Sequence, residues 1–102
     1  MLAIKKLSGK IKGELKDAEE YARCALETKE EDRELADLYY RLSSEELGHM
    51  EKLHEQVVRL INKYRAEVGE PPADMKAVYD YLHMENIEEA RSIRVMLSMY
   101  KG

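Results

Sequence analysis

The chain has 102 residues and a net charge of −4, with acids and bases interleaved and 37% of residues charged. That length bounds it to one domain, residues 1–102, with a core small enough that self-association is expected. The charge pattern excludes a basic nucleic-acid surface. The single cysteine, Cys24, excludes a disulfide framework or a Cys-x-x-Cys metal site, and no apolar run reaches membrane-spanning length. A reducing, cytoplasmic setting is the default expectation.

Residues 2 to about 28 read as a first helix. Ile4, Leu7, Ile11, Ala18, Ala22 and Ala25 recur at helical spacing, and no proline interrupts them. Gly9 and Gly13 lower helix propensity by about 1 kcal/mol each relative to Ala, so the first turns are expected to fray. Glu14 stands in the apolar stripe, between Ile11 and Ala18, and Tyr21 lies at the edge of the same face.

Thr28-Lys29-Glu30-Glu31-Asp32 is a polar break, and Asp32 is a favourable N-cap for the next segment. A second helix is predicted from about 33 to 68. Its stripe is Leu35, Leu38, Leu42, Leu53, Val57 and Leu60. Gly69 suits the position just past a helix end, and Pro71-Pro72 forbid continuation. A third helix, about 73–100, carries Met75, Val78, Leu82, Ile93, Met96 and Tyr100, with Asn86 and Glu89 interrupting the stripe. Its task would be to cover Leu60, Ile61 and Tyr64 at the far end of the second helix. The sequence thus predicts an all-α fold in which two long helices form an antiparallel hairpin and a third helix packs against it.

Three acid-x-x-His pairs occur: Glu46/His49, Glu51/His54 and Asp80/His83. On a helix, residues three apart share a face, so each pair could reach one cation. At about 100° per residue, Glu46 and His49 fall near the Leu42–Leu53 line, Glu51 points to the opposite side, and Asp80 and His83 flank their own stripe. A carboxylate inside a bundle loses several kcal/mol of hydration unless it is paired or bound to metal, and no Lys or Arg occupies a stripe position to pair with it. The competing readings are a core histidine bonded to Glu46, a polar pair that fixes helix register, and a rim glutamate at 14. Glu14 and Glu46 lie equally far from the interhelical break, which sets them at one height in the hairpin. Glu14, Glu46 and His49 are therefore expected to converge, and two carboxylates with an imidazole suit iron or manganese, with zinc as an intruder. The remaining polar residues of the third helix, Glu85 among them, read more simply as packing at a wet end. The tyrosines read as interhelical filler with polar tips.

Residues 14–64 resemble the first-half hairpin of the rubrerythrin and ferritin families, in which Glu14, Tyr21 and Glu46-x-x-His49 have counterparts. The resemblance implies that Glu14, Glu46 and His49 are iron ligands, with Glu46 bridging and the others terminal, and that Tyr21 lies just behind the site. Ferritin-like proteins take one Glu from each of two helices and one Glu-x-x-His from each of the other two. This chain has half of that set, so a homodimer, or a larger even assembly, is expected to complete a four-helix bundle and a di-iron site. The second hairpin and the paired cysteines of a rubredoxin-type centre are missing. In plan the chain is similar to the small encapsulated ferritin-like proteins, although Ser98-Met99-Tyr100-Lys101-Gly102 does not resemble a cargo-docking tail. It also resembles small ferritin-like proteins of prophage regions, for which the family implies a fold alone. The implied chemistry is that of an oxidase or peroxidase, or iron handling, with dioxygen or peroxide as the small substrate. The alternative is a helical scaffold that keeps the fold without turnover.

Overall fold

The computed structural model describes residues 2–102. Its elements are α1 (Leu2–Thr28), α2 (Arg33–Glu67) and α3 (Ala73–Lys101), and no strand occurs among the described residues. Asp32 has an extended backbone, and its side chain accepts a hydrogen bond from the Leu35 N–H at 3.1 Å. That bond satisfies one of the donors every helix N-terminus leaves unpaired. The other end of α2 stops at Gly69, whose φ of 117° suits glycine alone. Pro72 follows with φ −52° and enters α3 in the geometry its ring imposes.

The hairpin of α1 and α2 is antiparallel, as its cross-helix pairs show. Tyr21 stacks on Tyr39, Ser43 bonds to Ala18, and Glu14 lies near His49, each pair about equally far from the Lys29–Asp32 turn. The seam between the helices is built from small residues. Ala18, Ala22, Ala25, Ala36 and Ser43 are all buried. Ser43 Oγ donates to the Ala18 carbonyl oxygen at 2.7 Å, which satisfies the one buried polar side chain of the seam.

α3 runs back alongside, antiparallel to α2. Arg94 reaches Glu51 at one end, and Tyr100 meets Tyr40 and Asp37 at the other. Its inner face, Ala90, Ile93 and Leu97, closes a core with Ile11, Leu15, Leu47 and Met50. Leu15 and Ile93 are fully buried, and burial of this kind is worth about 1.5–3 kcal/mol per side chain. α3 lies chiefly on α1 and touches α2 little. The molecule is a rod, 55 × 19 × 18 Å.

One expectation changes here. The stripe of α2 faces the core only in its second half, where Leu53 and Val57 pack against it, and not in its first. Leu35 and Leu38 are 38% and 41% exposed, and Leu42, Leu53 and Leu60 are half-buried. The inward line is Ala36, Ser43, Leu47 and Met50. The physical reason is the close approach of α1 and α2, which selects small side chains where hydrophobicity alone would favour large ones. Leu15 enters the core from outside the expected stripe, and Val78 leaves it at 57% exposure.

Candidate metal centre

Glu14 extends from the middle of α1, and Glu46 and His49 from one turn of α2. Since the helices are antiparallel about a four-residue turn, the three side chains arrive at the same height, and their ligand atoms lie within 4.8 Å of one another. His49 Nδ1 is 3.5 Å from Glu14 Oε2 and 3.9 Å from Glu46 Oε2. Oxygen and nitrogen ligands around one octahedral ion sit about 3–4 Å apart, so these separations suit a shared cation. The site is on the flank of the hairpin that carries Leu35, Leu38 and Leu42, and α1 and α2 supply all its donors. The two carboxylate side chains are 28% and 21% exposed, and the imidazole is 55% exposed.

The two carboxyls of the trio act on each other. Glu46 holds its proton up to about 7, from an ordinary value of 4.5. Hydrogen bonding to Glu14 is the largest cause; burial and the Glu14 charge add to it, and His49 opposes them. Glu14 Oε2 is buried and has no hydrogen-bond partner. A buried acceptor left unpaired costs about 1–3 kcal/mol. An acceptor oxygen, a second carboxylate sharing its proton and an imidazole nitrogen fit a divalent cation of hard or borderline character.

Tyr21 lies two turns along α1 from Glu14, half-buried, with its ring stacked on Tyr39 at 6.2 Å between centroids. α3 contributes no residue to the cluster. Asn86 lines a separate cavity, and Glu89 faces Glu19 of α1, where burial first and then the Glu19 charge raise its pKa. Glu85 is exposed and accepts a hydrogen bond from the Tyr81 hydroxyl. The other two acid-x-x-His pairs lie off this flank. They line one cavity that all three helices enclose, a juxtaposition that each helix read singly could not reveal. Cys24 is a half-buried free thiol.

The fold and site define an all-helical protein with a carboxylate–carboxylate–imidazole cluster on one flank. No protein-family model, curated protein or solved structure matches the chain.

Proposed function

We propose that Glu14, Glu46 and His49 bind iron, and that two copies of the chain, joined through the leucine-bearing flank, hold a dinuclear centre that reacts with dioxygen or peroxide. The observation that carries this reading is the buried Glu14 Oε2, which accepts no hydrogen bond and lies 3.5 Å from the His49 imidazole, beside a carboxyl that keeps its proton to about 7. A cation there would give the orphan oxygen a partner and replace the shared proton. Iron would supply reversible one-electron chemistry. The chain's own part is to fix three donors on two rigid helices and to release the Glu46 proton when the cation enters.

The flank supports the dimer. Leu35 and Leu38 are exposed along α2, two to three turns before a site that holds three donors, and His49 is 55% exposed. A second copy packed there would cover the leucines and bring the same three residues to the other side of the metals. Manganese and zinc fit the same donors and are competitors for the site.

The test is anaerobic titration with ferrous iron followed by addition of peroxide. The expected result is one iron per chain, a dimer in sedimentation, an absorbance change on oxidation, and loss of all uptake at the cluster in Glu46→Ala. A colourless protein whose melting is indifferent to iron would overturn the reading in favour of a helical scaffold without turnover.

A further inference from the structure

Ile4 and Ile11 of α1, Met50 of α2 and Ala90 of α3 are buried residues that also form the floor of a cavity of about 650 Å³. Val57 and Ile61 of α2 carry the apolar surface outward. Val58 and Ile87, 44% and 42% exposed, stand where it meets solvent. α3 lies chiefly on α1 and touches α2 little, which leaves the space between them unfilled. None of the three donors of the metal centre lines this cavity.

We propose that the cavity binds a small amphipathic cation, a compact apolar body that carries an ammonium group.

Size and depth select a small molecule. The volume lies within the roughly 300–1,000 Å³ of small-molecule sites. The floor residues are at most 9% exposed, so the site is recessed into the core. A helix of another chain would meet the lip at Val58 and Ile87 before it reached that floor.

Charge selects the head group. Glu51, Glu55 and Asp80 line the cavity against the single guanidinium of Arg94, and Arg94 is taken up by Glu51 at 3.0 Å. Among the described residues, no Lys or Arg forms an ion pair with Glu55 or Asp80. Burial first, and then the neighbouring His83, lower the pKa of His54, so that ring adds no positive charge at neutral pH. An ammonium group at the mouth would therefore meet two uncompensated carboxylates, whereas an anionic head would be repelled by them. The apolar body gains by leaving water for the floor and the α2 wall.

The experiment titrates the metal-free full chain calorimetrically with hexylammonium, octylammonium and decylammonium chloride, and with octanoate and 1-octanol. All are kept below micelle-forming concentrations, and amide chemical shifts map the contact. Expected is one alkylammonium per chain, with affinity rising by up to about fourfold per methylene. Octylammonium should bind about tenfold or more tighter than octanoate or octanol. Shifts should fall at residues 54–61 and 79–90 rather than around 14, 46 and 49. Glu55 and Asp80 are exposed, so Glu55→Gln with Asp80→Asn leaves the core intact. That double variant should lose the preference for the cation and keep its binding of octanol. A preference that survives in the variant would overturn the proposal. So would equal affinity for octanoate, indifference to chain length, shifts confined to the metal cluster, or no saturable binding. Shifts at the same amides produced by raising protein concentration alone would assign the cavity to a second copy, and would overturn it too.

Discussion

Glu14 and Glu46 bring their carboxyls within 4.8 Å of each other across the hairpin, and this pair sets how the protein should respond to pH. The carboxyl of Glu46 ionises near 7 in the fold and near 4.5 when the chain is unfolded. Over that window the unfolded chain releases a proton that the folded chain keeps. Stability from this group is complete below about 4.5 and is lost as the pH rises through about 7. Denaturant unfolding of the metal-free protein at pH 5 and pH 8 checks this. The group's contribution should be smaller at pH 8, and Glu46→Gln should remove the difference.

The same proton competes with the metal. Below pH 7, apparent affinity for ferrous iron should fall by about tenfold per unit, since a proton must leave Glu46 for each cation that binds. Above pH 7 the dependence should flatten. Calorimetric titration at pH 5.5, 6.5 and 7.5 measures it, and a flat profile across that range would show that Glu46 is not a ligand.

Dimerisation and metal binding should be lost together. Leu38 is 41% exposed in the protomer, so Leu38→Glu should change protomer stability by no more than about 0.5 kcal/mol. On the leucine-bearing flank, however, it would put a charge into the proposed interface. Sedimentation should then show monomer, with iron affinity reduced and helicity retained. A variant that remains dimeric would place the partner surface elsewhere.

How far the sequence could be read depends on what each feature asks of it. Helix ends were legible because single residues dictate them: Asp32 caps, Gly69 takes a positive φ, and Pro71-Pro72 stop the chain. The convergence of Glu14, Glu46 and His49 was legible too, since a short turn between antiparallel helices fixes height by counting. The inward face of α2 was not. Hydrophobic weight pointed to the leucines, whereas the seam is built from Ala36 and Ser43 and the core from Leu47 and Met50. Two faces of α2 are apolar, and periodicity alone does not tell which one meets α1. The pairing of His54 with His83 depends on how α3 lies against α2, which no local pattern encodes.

Ser43 tests the seam directly. Ser43→Ala removes a bond to a carbonyl that already serves the α1 helix, so its cost should be about 1 kcal/mol or less. Ser43→Leu must fit extra methylenes into a fully buried position and should cost about 1–3 kcal/mol or more. It should also weaken metal binding, because spreading the helices separates Glu14 from Glu46. Paired unfolding curves and iron titrations for both variants measure the two effects.

His49→Leu separates the metal reading from its rival by sign. His49 is 55% exposed and lies on the leucine-bearing flank, between Leu42 and Leu53 along α2. If its role is to ligate, leucine there extends an apolar surface and removes a donor. The metal-free variant should melt at the same temperature as wild type or higher. The stabilisation that wild type gains from iron, which grows as RT ln(1 + [L]/Kd), should disappear. If His49 is instead a satisfied partner of Glu46, the same change strands a carboxyl that is 21% exposed. The loss should then be about 1–3 kcal/mol at every iron concentration. Melting curves of both proteins, with and without ferrous iron under anaerobic conditions, decide between the two. A wild type indifferent to iron, together with a large loss in the variant, would leave the cluster as a structural hydrogen-bonding device.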